Sequence, residues 1–299
     1  MNTRKSVILL LMSAALTCYA DKKAVENDAR TSDQTEMTVV TDNFDKIFTQ
    51  SYSKIVFTQG KKCNVKIVSD HGISRYPQII VENNTLTIKK DYSRCTIYVE
   101  APDLKSVVSS GYSNITVSSL KTKNLEITMS GNTTMKLGDI KCDRFSFISS
   151  GFTNVSMSGL IDARIVTLKY SGNSIAKFMK IKADSVFADY SGFCSQKVDI
   201  ACKYIDFNVH GNVSFSGNVT AEKMNIDSHG FSKIDLNQNG NEVTLKNHGN
   251  TIFKVNLNCK FINAQNSGFG NMILTGIADS TKIDSSGNSR IDIRNLNKF

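Results

Sequence analysis

The sequence has no tryptophan, two prolines and four histidines, and each shortage narrows what the chain can do. Without tryptophan, a sugar-stacking cleft lacks its largest flat wall. With only Pro77 and Pro102, almost nothing interrupts a long series of strands. After the apolar run Val7–Met12, no stretch reaches the length of a membrane-spanning helix. No long basic run occurs either. Blocks such as Lys61-Lys62 and Lys89-Lys90 are short, so the positive charge is spread thinly and nucleic acid is not an expected partner. There is no Ser-His-Asp motif, no metalloprotease helix signature and no phosphate loop.

The first residues read as an export signal. Arg4 and Lys5 precede the apolar run, and Cys18-Tyr19-Ala20 supplies small residues before Asp21. Cleavage after Ala20 is the favoured reading and lipidation of Cys18 the alternative, because Thr17 fits a lipoprotein signal poorly. Removing residues 1–20 leaves 34 basic against 27 acidic residues, a net charge of +7. Residues 21–42 are polar and unpatterned and read as a tether, which leaves 43–299 as one elongated domain.

That domain carries a ladder of ten glycines: Gly111, Gly131, Gly151, Gly172, Gly192, Gly211, Gly230, Gly249, Gly268 and Gly287, spaced by 19 to 21 residues. Such a pitch is too short for paired helices or propeller blades and suits one coil of a β-solenoid. The expected fold is all-β, a single-stranded parallel β-helix with about 20 residues per coil. Weaker echoes at Ser51-Tyr52-Ser53, His71-Gly72 and Asp91-Tyr92-Ser93 extend the ladder backward and predict about thirteen coils, stacked at ~4.8 Å.

In register with each glycine, the fourth and sixth residues after it are mostly apolar, as in Ile115 and Val117, Phe253 and Val255, or Ile291 and Ile293. The sixth and fourth before it behave alike, as in Phe145 and Phe147 or Ile205 and Phe207. Two inward-alternating strands per coil follow. Nine residues before the glycine only small residues occur, including Cys142, Cys202 and Cys259. This corner column keeps those cysteines at least three coils apart, about 14 Å, too far for disulfides despite the exported context. Cys63 falls in the same column if Gly72 belongs to the ladder. Free, mostly buried thiols are expected.

Two columns could carry chemistry. The residue after the glycine alternates between aromatic and Asn: Tyr112, Asn132, Phe152, Asn173, Phe193, Asn212, Phe231, Asn250, Phe269 and Asn288. It reads either as an aromatic stripe for sugars or a partner surface, or as turn chemistry in which Asn accepts a left-handed conformation and forms a ladder while each aromatic covers a glycine. The residue before the glycine is usually Ser, but His210, His229 and His248 replace it in three consecutive coils. They point outward with Asp227 on the same face, so a transition metal is conceivable, although three imidazoles in line suit tetrahedral zinc badly. The alternative is a polar substitution in a solvent-facing column.

The segments Phe44-Asp45-Lys46-Ile47, Asn84-Thr85-Leu86-Thr87-Ile88 and Ile97 through Val107, the last containing Ala101-Pro102-Asp103-Leu104-Lys105-Ser106, resemble the putative autotransporter adhesin "head GIN" domain family of bacterial envelope proteins. The likeness runs from about residue 44 to the C-terminus. It implies a β-helix, right-handed as in the family, with a non-catalytic, adhesin-like role. Family coils usually read Ser-Gly-Ser-Gly-Asp, whereas here the aromatic and Asn alternation replaces the residue after the ladder glycine. No membrane-barrel segment follows the repeats, so a self-sufficient autotransporter is not expected.

The functional expectation is therefore a binding or scaffolding module of the periplasm, outer membrane or cell surface, with no cofactor. Its partner would be a glycan or an envelope or host surface protein, with Tyr112, Phe152, Phe193, Phe231 and Phe269 as contact residues. A membrane would be reached only through a lipid on Cys18. A polysaccharide-active enzyme and a structural spacer stand as alternatives. The enzyme needs clustered carboxylates, and the outward Asp189, Asp227 and Asp284 are separated by intervening coils.

Overall fold

In a computed structural model, residues 35–69, 77–89 and 95–298 are described, and every regular element among them is a β-strand. The expected export signal with Cys18, most of the expected tether, His71-Gly72 and Asp91-Tyr92-Ser93 lie outside the described residues. From Gly111 onward each coil pairs in parallel with the next, with register shifts at Ala176/Met179 and Ile273/Thr275. One inward column runs Phe145, Val166, Val186, Ile205, Met224, Val243, Ile262. Another runs Ile115, Met135, Val155, Ala176, Gln196, Phe215, Ile234, Phe253, Met272. All of these are buried. The β-solenoid follows from the strand period of two, since a sheet folded back on itself every 20 residues brings all alternate side chains to one interior.

The glycine ladder has a single physical cause along most of its length. A methyl placed at Gly131, Gly151, Gly172, Gly192, Gly211, Gly230, Gly249 or Gly268 would collide with the carbonyl oxygen of the ladder glycine one coil earlier. Glycine is required because successive turns approach backbone to backbone. Only Gly287, at φ 72°, has the left-handed conformation.

The interior at the turns is aromatic or hydroxylic. Phe147, Tyr170 and Tyr190 form a row with ring centroids 5.5 Å apart, continued by Phe207 and Phe215 at 4.9 Å from each other. The Tyr190 hydroxyl donates to Gln196 Oε1 at 2.9 Å. Burial pushes both phenols well above their usual range. Elsewhere small hydroxyls pair inside the turn, as in Ser149, Thr153 and Ser174, all within 2.9 Å of one another, and Ser228 with Thr251 at 2.6 Å. These groups satisfy each other where no water enters.

The N-terminal region departs from the expected thirteen coils in chain order. Strands Lys46–Thr49 and Lys54–Gln59 lie between Thr85–Lys89 and Thr96–Ala101 on one side and Ser106–Ser109 and Asn114–Val117 on the other. Tyr52 therefore stacks on Tyr112, 60 residues later, with centroids 5.3 Å apart and rings 9° from parallel. The strand Asn64–Ser69 runs antiparallel to Thr96–Ala101, and Thr35–Val39 runs antiparallel to Asn64–Ser69. Gln78–Glu82 pairs antiparallel with Thr85–Lys89 across a turn in which Asn83 and Asn84 have positive φ. These reversed strands end the parallel stack and cover its hydrogen-bonding edge. The solenoid thus has ten coils in chain order, one for each ladder glycine, above a rearranged cap. The strand Thr35–Val39 lies inside the segment expected to be a tether.

At the other end the last coil is open. Ile283 and Ile293 are exposed, and Ile291 only half buried, because among the described residues no coil covers them.

Candidate functional site

The Ser-Gly turns form one ridge of the solenoid, with a different row of side chains on each side. Beyond the glycine stand Tyr112, Phe152, Phe193, Phe231 and Phe269, with Tyr52 added through the rearranged cap; all six are 58 to 70% exposed. They alternate with Asn in strict register, Asn132 with Phe152, Phe152 with Asn173, Asn173 with Phe193 and Phe193 with Asn212. From Tyr112 onward the pitch from one aromatic to the next is about 9.6 Å, two coils, whereas Tyr52 stacks directly on Tyr112 at 5.3 Å.

Turn chemistry does not account for the alternation. The backbone N–H of Asn173, Phe193, Asn212, Phe231, Asn250 and Phe269 each donates to a ladder-glycine carbonyl one coil earlier, at 2.9 to 3.1 Å. Asn and aromatic residues thus serve the backbone identically. None of these Asn residues has a positive φ; among the described non-glycine residues only Asn83 and Asn84 do. Asn ladders occur instead on another face, Asn218 with Asn237 and Asn239 with Asn258, which sequence reading missed. A signal was available, since Asn218, Asn237 and Asn256 recur at 19 residues.

Shallow grooves open between successive aromatics. One of about 540 Å³ lies between Phe193 and Phe231, with Asn212 between them and Ile175, Lys233 and Ile252 on its flank. Another of about 500 Å³ lies between Tyr112 and Phe152 over Gly131 and Asn132.

Before the glycine, His210, His229 and His248 stack as a column, with ring centroids 5.2 and 4.8 Å apart. Asp227 Oδ1 stands 3.1 Å from His229 Nε2 and 3.8 Å from His248 Nε2. His248 Nδ1 lies 3.0 Å from Ser267 Oγ on the next coil. Of the four residues singled out in the sequence, the structure gathers Asp227, His229 and His248 into one group. His210 is left outside it, stacked on the far side of His229.

Among the described residues Cys63, Cys142, Cys194, Cys202 and Cys259 are free thiols, Cys194 and Cys259 buried and the other three half-buried, while the buried Cys95 has its sulfur 2.9 Å from Ser53 Oγ. The corner column is real: Cys142 is in register with Ala163, Cys202 with Ala221 and Cys259 with Ala278. Cys63 does not belong to it. It precedes an antiparallel strand, and its sulfur lies 3.4 Å from the backbone nitrogen of Phe44. Burial, aided by Asp143 and Asp162, pushes Cys142 up to about 11; burial alone takes Cys202 to about 12; burial and Asp279 take Cys259 to about 11. These thiols are packing groups and poor nucleophiles.

Among solved structures, the chain is similar to a putative adhesin from Parabacteroides merdae at 14% identity and TM-score 0.54, covering 89% of this chain and 96% of that one. A putative adhesin from Parabacteroides distasonis matches at 15% and 0.53, covering 87% and 97%. Another, from Bacteroides fragilis, matches at 16% and 0.50, covering 89% and 98%. At these identities the likeness concerns the fold alone. No curated protein matches the chain. The family model described as "putative auto-transporter adhesin, head GIN domain" matches residues 43–221 and 200–298, nearly the whole solenoid, and the chain belongs to that family.

Proposed function

We propose that the chain is a non-catalytic binding module of the cell envelope or surface, and that the aromatic and Asn row holds an extended glycan lying along the solenoid axis. The observation that carries this reading is the row itself: six aromatic rings, each more than half exposed, on a ridge whose backbone does not require them. An unpartnered apolar row of this length favours contact with another molecule. The chemistry suits sugars, because an aromatic face receives the C–H side of a pyranose while a neighbouring Asn amide both donates to and accepts from hydroxyls. The two-coil pitch of about 9.6 Å is on the scale of two linked sugar rings, so a linear polymer would meet equivalent sites repeatedly. Weak contacts at each would then add along the chain. The family description supports an envelope or surface location.

Cleavage is not part of the reading. In the outward column Asp189 and Asp227 are separated by Asn208, and Asp284 follows Lys246 and Gln265, so no two carboxylates of that column lie on adjacent coils.

A glycan array with parallel measurement of reducing-sugar release tests the proposal. Binding without release, lost in the Phe193→Ser, Phe231→Ser double variant while its circular dichroism is unchanged, is the expected result. Release of reducing sugar would convert the module into an enzyme. Absence of binding to any glycan would leave a spacer and sink the proposal.

A further inference from the structure

We infer that Asp227, His229 and His248 form a binding site for a divalent transition metal, with zinc as the reference ion. The site does not rest on the glycan reading, although it lies on the same ridge: His229 and Phe231 flank Gly230.

The donor set comes first. Asp227 Oδ1 and the Nε2 atoms of His229 and His248 are mutually within 4.8 Å, the one such group of three metal-ligating side chains among the described residues. Ligands bound to zinc at about 2.0–2.2 Å in a tetrahedron stand about 3.3 Å from one another. The separations of 3.1 and 3.8 Å from Asp227 to the two imidazoles bracket that value. The ring-to-ring spacing, set by the coil rise, is wider, so one imidazole must turn inward. Both rings are close to half exposed and can do so.

Two further observations point to a ligand. Asp227 Oδ1 is closed off from solvent yet receives no aligned hydrogen bond, although His229 Nε2 stands 3.1 Å away. A shielded carboxylate oxygen without an aligned donor is costly, and a cation between it and the imidazoles would remove that cost. In addition, Ser267 Oγ lies 3.0 Å from His248 Nδ1. With Nδ1–H donating to that hydroxyl, the lone pair of Nε2 is directed to the metal side, the usual outer-shell arrangement for a ligating histidine. Three protein ligands leave a position for water. Two imidazoles and one carboxylate suit zinc, nickel and copper rather than calcium or magnesium. Lys246 is the registered neighbour of Asp227 on the following coil.

The sequence shows why the site is local. Ser occupies the column in the coils on either side, at Ser191 and Ser267, and three consecutive replacements by His bring imidazoles together at one coil spacing. Asp227 lies two residues before His229, on the same face of its strand.

Isothermal titration of the whole chain with zinc chloride is the test. One site per chain is expected, weakened at least tenfold by His248→Ala and by Asp227→Asn, each with an unchanged circular dichroism spectrum. His210→Ala should bind as the parent does, and calcium chloride should give no heat. Absence of zinc binding by the parent, parent-like binding by both His248→Ala and Asp227→Asn, or loss of binding in His210→Ala would overturn the assignment.

Discussion

Replacing Gly192 by Ala tests the reason given for the glycine ladder. The added methyl would collide with the Gly172 carbonyl oxygen and stand 2.9 Å from the carbonyl carbons of Gly172 and Ser171. Carbon atoms in ordinary contact are about 3.5–4.0 Å apart, so the two coils must separate locally by roughly 1 Å. Two inter-coil hydrogen bonds cross this point, Ser191 N–H to Tyr170 O at 2.8 Å and Phe193 N–H to Gly172 O at 3.0 Å. An extra ångström takes both beyond hydrogen-bonding range. Their loss contributes about 1 kcal/mol each, and residual overpacking about 1–3 kcal/mol. The sum is about 3–5 kcal/mol, or a fall of roughly 10 °C in melting temperature for a domain of this size. Thermal melts followed by circular dichroism measure it, with Asn212→Ala as control. Its side chain is exposed, so its effect should stay within about 0.5 kcal/mol. A Gly192→Ala protein melting with the parent would refute the claim that close backbone approach imposes the glycine.

Phe207→Ala, which empties the space beside Tyr190 and Phe215, should cost about 3–5 kcal/mol in urea denaturation; a loss below 1 kcal/mol would contradict the packing described. At pH 8 the protonated thiols of Cys142, Cys202 and Cys259 should label slowly with a disulfide reagent in the native chain and fast in urea, and rapid native labelling of Cys202 would disprove the effect of burial. Hydrogen bonds from Arg294 hold Asp292 down to about 2. A carboxyl depressed in the folded state favours folding above the ordinary carboxylate range, and that contribution disappears as pH falls toward 2. Carboxyl chemical shifts should therefore place the Asp292 midpoint near 2 in the parent and higher in Arg294→Gln; equal midpoints would show that Arg294 is not the cause.

Sequence reading reached far because a solenoid converts sequence period directly into spatial neighbourhood. Residues 19 to 21 apart become neighbours at one coil rise, so inward strands, small corner and exposed columns can all be read in register with the glycine. That logic holds only where stacking follows chain order. It fails below Gly111, where two parallel coils stack out of chain order so that Tyr52 reaches Tyr112, and antiparallel strands stand in place of the coil expected between them, because strand direction at a cap depends on which edge must be covered rather than on a repeat. Cys63 was misplaced for the same reason.

The sequence by itself determined the coil length, the residues that face inward, and the separation of the corner cysteines, since each follows from periodicity and strand geometry. Tertiary structure decided the rest. It showed that the ladder glycines answer to a neighbouring carbonyl rather than to a left-handed turn, and that the aromatic row is surplus to backbone requirements. It also showed that Asp227 joins His229 and His248 while His210 stands apart, because side-chain reach across coils, unlike register, is set by rotamer and packing.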